Sequence, residues 1–236
     1  MKILFNGCSQ TEVGNLDYLE NWQEHTWPHL LAESFECEYK NLAITLSDNS
    51  RIFSTTLNEI LAEKPDIIII GWTSSDRKQL PLANGDMVRL NQDCAISDNA
   101  TDITDLQPHK YWYTHHQNDW LSYIESLEYK ATLKIICDQF EIQLYNFNAV
   151  NTDIGDYLIK SSFNTSMKRK PFRSILEKTK ASNLLDILDQ MNWLLPQSQS
   201  LLSYCKSQKL SMDKWGHPEL GAQQQIADYF RRQINV

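Results

Sequence analysis

Four consecutive isoleucines, Ile67 to Ile70, lie inside the apolar run Asp66–Trp72. A strand with one wet face alternates apolar and polar residues, and this run offers no polar position to turn toward water. It fits a strand buried on both faces, as in a parallel sheet covered by helices. Lys2–Asn6 and Tyr39–Ala43 share this strand character, and Ile142–Phe147 supplies a fourth strand. Helical patterns lie between them. Thr26-Trp27-Pro28 reads as an N-cap with proline in the first turn, leading into His29–Glu33. Ser50 is placed to cap a helix in which Ile52, Phe53, Thr56, Leu57, Ile60 and Leu61 recur at helical spacing. Further helices are expected over Asp119–Phe140, near Ala181–Leu195, and from Glu219 to Arg232 with Ala222, Ile226, Tyr229 and Phe230 inward. Strands alternating with helices predict an α/β sandwich: a mostly parallel central sheet with helices on both faces.

Two stretches break this rhythm, residues 78–116 and 151–205, and both read as insertions on a single domain spanning 1–236. The first carries the aromatic and histidine-rich segment HKYWYTHH, from His109 to His116. No acidic or cysteine partner stands at ligand spacing from His109, His115 or His116, so an exposed loop is favoured over a metal site. A net charge of -8 argues against nucleic-acid and acidic-membrane partners, and the basic run Lys168-Arg169-Lys170 is too short to track phosphates. The five cysteines, Cys8, Cys37, Cys94, Cys137 and Cys205, contain no CxxC pair and read as free thiols of a reducing compartment. There is no apolar h-region at the amino terminus and no run of about 20 apolar residues. A cytoplasmic product is expected, with carriage on a virion left open.

In open α/β sheets, ligands bind beyond the carboxyl ends of the strands. The first strand ends in Gly7-Cys8-Ser9-Gln10-Thr11, the second leads into Leu46-Ser47-Asp48-Asn49, and the third ends in Gly71-Trp72-Thr73-Ser74-Ser75-Asp76-Arg77. Just before the last helix comes Asp213-Lys214-Trp215-Gly216-His217-Pro218. Serine becomes a useful nucleophile when a base takes its proton, and histidine suits that task. A carboxylate on the other ring nitrogen fixes the tautomer, and one turn of chain can bring Asp213 to His217. The bland alternatives are a helix-capping Ser9, a surface His217, a turn-forming Asp213 and a Thr73 hydroxyl bonded to its own backbone. Cys8 neighbours Ser9 and is expected to point into the core.

The order of these blocks resembles that of the SGNH (GDSL-like) hydrolases, including SGNH-like esterases carried by phages. Gly7-Cys8-Ser9-Gln10-Thr11 resembles the Gly-Asp-Ser block, with Ser9 in the nucleophile position and Cys8 in place of the aspartate. Gly71-Trp72-Thr73-Ser74 resembles the Gly-x-Asn-Asp block, with Thr73 for asparagine. Asp213 and His217 resemble the closing Asp-x-x-His block with one extra residue between them. Leu46 stands where the family has an oxyanion-hole glycine, and a leucine does not readily take a positive φ.

The resemblance implies a flavodoxin-like three-layer sandwich. It also implies a serine esterase that removes acetyl or another small acyl group from a carbohydrate. Ser9, His217 and Asp213 would act as nucleophile, base and orienting carboxylate. Ser9, Leu46 and Thr73 would hold the oxyanion, and Asn49, Trp72, Arg77 and Trp215 are candidate substrate contacts. No cofactor or metal is implied, and the partner is a small-molecule or carbohydrate ester. The alternatives are a catalytically weak binding or structural module of a phage particle and, third, an acyltransferase.

Overall fold

The alternation of the isoleucines between two helical layers sets the architecture. In the computed structural model, which describes residues 1–75, 77–81, 87–90, 95–97, 119–150, 182–197 and 199–235, the run forms β3 (Ile67–Trp72). Successive side chains of a strand point to opposite faces. Ile67 and Ile69 accordingly pack with Ile3, Phe5 and Phe147 in one core, and Ile68 and Ile70 with Leu4, Trp72 and Leu144 in the other. Every residue of β3 is buried, as the missing polar positions require.

Around it the strands β1 (Lys2–Asn6), β2 (Glu38–Asn41), β7 (Gln143–Asn148) and β8 (Asn192–Trp193) complete a sheet of order β2-β1-β3-β7-β8, parallel at every pairing. The first core is closed by α2 (Trp27–Ser34) and α7 (Leu220–Gln233), through Leu31 and Ala32 on one side and Ala222, Ile226 and Phe230 on the other. Trp27 sits at its centre, with T-shaped ring contacts to Phe5, Phe147 and Phe230 at 5.5, 5.7 and 5.1 Å. The second core is closed by α3 (Asn49–Glu63), α4 (Asp119–Gln139) and α5 (Ser182–Leu188). This is the α/β sandwich the sequence predicts.

Several local expectations need correction. The second strand spans Glu38–Asn41 rather than Tyr39–Ala43, and it lies at the sheet edge with alternately exposed residues instead of being buried on both faces. The cap of α3 is Asp48, whose Oδ1 accepts the Arg51 N–H at 2.8 Å, so Ser50 lies inside the helix. Residues 78–116 are not simply loop-like. They include an antiparallel sheet of β4 (Lys78–Pro81), β5 (Met87–Leu90) and β6 (Ala95–Ser97). The helix expected over 181–195 stops at Leu188, because Asn192 and Trp193 pair in parallel with Tyr145 and Asn146 as the fifth strand. Leu194, Leu195, and Leu201 and Cys205 of α6 (Leu201–Ser207) are core residues, so this end of the stretch 151–205 belongs to the scaffold. The segment HKYWYTHH, the basic run and Cys94 lie outside the described residues. The four described cysteines are unpaired, and burial pushes the Cys137 and Cys205 thiols up to about 12 and about 11. Among the described residues no helix is long and apolar enough to cross a membrane.

Candidate active site

Parallel strands all end on the same side, so the loops after β1, β2 and β3 converge there. The exit from β1 is tightly built. Asn6 is fully buried, and its amide donates to the Ile52 carbonyl and the Thr55 and Thr56 hydroxyls of α3 at 2.8 to 3.0 Å. Its carbonyl oxygen accepts the Gly7 N–H at 2.8 Å. Gly7 has φ of 157°, and a Cβ there would collide with the Thr11 side chain and stand 2.9 Å from the Gly71 carbonyl. Only glycine fits between β1, β3 and the short helix α1 (Ser9–Glu12) that follows. Ser9 is therefore delivered at the first position of α1, 8% exposed, while Cys8 packs wholly into the core.

Ser9 Oγ lies 3.0 Å from His217 Nε2, across 208 positions of chain. His217 Nδ1 lies 3.1 Å from Asp213 Oδ2. The other carboxylate oxygen, Oδ1, accepts the N–H groups of Trp215 and His217, both at 2.8 Å. Backbone bonds from Asp213 N to the His217 carbonyl and from Gly216 N to the Asp213 carbonyl close the segment on itself. Gly216, which lies between Asp213 and His217, turns the chain with φ of 84°. Burial works to raise the Asp213 pKa, but the hydrogen bonds and charge supplied by His217 outweigh it and hold the carboxyl below its ordinary value. An ionised Asp213 keeps the Nδ1 proton of His217 and leaves Nε2 free to accept from Ser9.

Polar residues outside the expected set hold these parts in place. Gln10 Nε2 donates to the Gly216 carbonyl at 2.9 Å, tying α1 to the segment that carries His217. The Gln10 carbonyl accepts the Trp27 indole N–H at 2.9 Å. Gln223 bridges the Pro218 carbonyl (2.7 Å) and the Trp27 N–H (2.9 Å), so α7 and α2 fix the turn after His217. Gln10 stands inside the block that identifies Ser9, but its partner lies 206 residues away and no local pattern reveals it. These are the residues that sequence reasoning missed.

The remaining candidates separate. Leu46 adopts φ of 63°, contrary to the expectation that leucine avoids it. The left-handed region costs a residue with a Cβ about 1–2 kcal/mol, so its neighbours must hold it. Thr73 is fully buried, and its Oγ1 has no hydrogen-bond partner among the described residues. Asn49 is not a free substrate contact. Its Oδ1 accepts the Thr73 N–H at 3.0 Å, and its Nδ2 donates to the Thr73 carbonyl and to Ser126 Oγ, each at 3.1 Å. Trp72 is fully buried with its indole N–H on Asn146 Oδ1 at 2.8 Å, so it is a core residue and no substrate contact. Trp215 is 74% exposed, with Lys214 Nζ 5.1 Å from its ring centroid. Arg77 closes the turn after β3 through its N–H on the Ser74 carbonyl at 3.3 Å, with its side chain half-buried.

No family model matches the sequence, and no curated protein matches it at a significant level. Solved structures do match the fold. TesA aligns with 12% identity over 99% of this chain and 97% of its own, TM-score 0.52. The acetyl xylan esterase AlAXEase aligns with 12% identity over the full length of both chains, also at 0.52. LAE5, an alpha/beta hydrolase enzyme from the metagenome of Lake Arreo, Spain, aligns with 13% identity over 98% and 94%, at 0.51. At such identities the likeness speaks for the backbone arrangement. The fold of this chain is the one it shares with TesA, the acetyl xylan esterase AlAXEase and LAE5.

Proposed function

We propose that the protein is a serine esterase that removes a small acyl group, acetyl in the first instance, from a carbohydrate. One observation carries this reading: an unbroken hydrogen-bonded relay, Ser9 to His217 at 3.0 Å and His217 to Asp213 at 3.1 Å, at the carboxyl rim of a parallel sheet. Ser9 Oγ attacks the ester carbonyl while His217 Nε2 takes its proton. The tetrahedral intermediate collapses as His217 returns that proton to the leaving alcohol. Water then repeats the cycle, leaving free acid and Ser9. Asp213 holds the imidazole and stabilises its protonated form. The Ser9 and Leu46 N–H groups and the Thr73 hydroxyl are the candidate oxyanion donors.

The carbohydrate part of the reading is supported by Trp215, a large aromatic face left open to solvent two residues from His217. Aromatic faces suit the apolar side of a sugar ring, and a contact of about 1.4 kcal/mol corresponds to tenfold in affinity. Trp215→Ala is expected to raise KM for an acetylated oligosaccharide about tenfold, on that arithmetic. The change for p-nitrophenyl acetate, too small to reach the indole, should be smaller. Equal losses on both substrates in steady-state kinetics would count against the sugar.

The direct test uses a fluorophosphonate probe and p-nitrophenyl acetate on the wild-type protein. Covalent labelling with turnover above buffer supports the esterase. A wild type that neither labels nor turns over favours the second reading, a binding module on the same fold, which the replacement of the family asparagine by Thr73 motivates. Faster transfer to an added alcohol than to water identifies an acyltransferase instead.

A further inference from the structure

Leu46 is held in its left-handed conformation from both sides, and the two holding side chains come from different elements. On its amino side, the Thr45 N–H donates to a carboxylate oxygen of Glu12. On its carboxyl side, the Leu46 carbonyl accepts from Gln79 Nε2 at 3.3 Å. The Gln79 backbone is itself anchored, its N–H donating to Asp48 Oδ2 at 2.7 Å. Asp48 in turn caps α3 through the Arg51 N–H at 2.8 Å. Ile44 N–H reaches the Gly7 carbonyl at 3.4 Å, and both Ser47 N–H and Ser47 Oγ donate to the Ile44 carbonyl, at 3.1 and 2.7 Å. The peptide groups on either side of the Leu46 N–H are thus occupied, while that N–H itself has no acceptor among the described residues.

We infer that Glu12 and Gln79 are positioning residues that pin the Thr45–Leu46–Ser47 backbone so that the Leu46 N–H is presented as an oxyanion donor. The inference rests on the esterase reading and adds to it a reason why leucine can stand at this position. Glu12 ends the same four-residue helix that Ser9 begins, so one element carries the nucleophile and one of the pins. Gln79 lies in β4, the first strand of the antiparallel arm, so the arm bears on the site through this contact. A donor that is aimed before the reaction lowers the barrier without strengthening ground-state binding.

The test is a set of single and double variants with steady-state kinetics on p-nitrophenyl acetate, fluorophosphonate labelling rates and thermal unfolding. Losing an oxyanion donor costs about 100- to 1000-fold in kcat, and loosening one of its two pins is expected to cost about tenfold. Glu12→Ala and Gln79→Ala should each show that loss in kcat with KM nearly unchanged. Glu12→Gln, which keeps an acceptor oxygen for the Thr45 N–H, should recover most of it. Leu46→Gly supplies the decisive comparison, because glycine takes positive φ without being held. In that background the Glu12→Ala and Gln79→Ala losses should shrink to about threefold or less, a non-additivity expected only of coupled residues. Full losses in the Leu46→Gly background overturn the inference, as does unaltered kcat in both alanine variants or a change confined to KM. A wild type without labelling or turnover sinks the esterase reading and this one with it. A labelled, active wild type with indifferent variants sinks the pinning alone.

Discussion

Ser9→Ala is expected to lower kcat for p-nitrophenyl acetate by about 10⁴- to 10⁶-fold and to abolish fluorophosphonate labelling. The size follows from the site's connectivity. Ser9 Oγ is the atom 3.0 Å from His217 Nε2, so on the proposed mechanism its removal leaves His217 with no hydroxyl to deprotonate. On that mechanism what survives is stabilisation by the proposed oxyanion donors and by binding, which in triad enzymes amounts to a small residue of the rate. The fold should not feel the change. The Ser9 side chain has its hydrogen bond to His217, while α1 is held through backbone bonds and through Gln10. An alanine variant that melts with the wild type yet neither labels nor turns over supports the role of Ser9. An alanine variant that retains wild-type turnover removes Ser9 from the chemistry, whatever else the site does.

The second large effect is on stability and comes from a residue that touches no reacting atom. Asn49→Ala is expected to cost about 2–4 kcal/mol, because it strips the partners from a buried peptide N–H and a buried carbonyl. Both groups belong to Thr73, held at 3.0 and 3.1 Å by the two ends of one carboxamide. Asn49→Asp separates this clamp from simple burial. It keeps an acceptor for the Thr73 N–H but sets a carboxylate oxygen against the Thr73 carbonyl and takes the donor away from Ser126 Oγ. It should therefore be no more stable than alanine at neutral pH. Urea unfolding at pH 7 decides the matter, and a shift below about 0.5 kcal/mol for Asn49→Ala, the range of an ordinary surface change, would remove Asn49 from the clamp. On the proposed oxyanion role of Thr73, the same variants should also lose kcat beyond what unfolding explains.

Much of the scaffold is legible in short windows of chain. The isoleucine run announces a strand covered on both sides because its side chains have no polar face to offer, and β3 is buried at every position. The inward residues of α7 follow from helical spacing, and Ala222, Ile226 and Phe230 are in the core. The failures have a common cause. Tyr39–Ala43 reads like the other strands, but its place at the sheet edge is a property of the whole sheet, and exposed Glu38 and Lys40 belong to it. Ser50 and Asp48 are both good capping residues, and the choice between them turns on Asp48 also receiving the Gln79 N–H from another element. Two residues, Asn192 and Trp193, are too few to carry a strand pattern, and only the free edge of β7 makes them one.

Taken alone, the sequence determined the α/β alternation and the residue types gathered in each polar loop, because strand burial, helix spacing and turn chemistry depend on near neighbours. It also marked the order of the blocks in which Ser9, Thr73, Asp213 and His217 occur. The tertiary structure alone decided that Ser9 and His217 lie 3.0 Å apart and that Leu46 holds φ of 63°. It likewise gave Asn49 to Thr73, and left Trp215 open while closing Trp72 into the core. These outcomes depend on which hydrogen-bonding groups from distant segments meet, and that is settled when the helices close over the sheet.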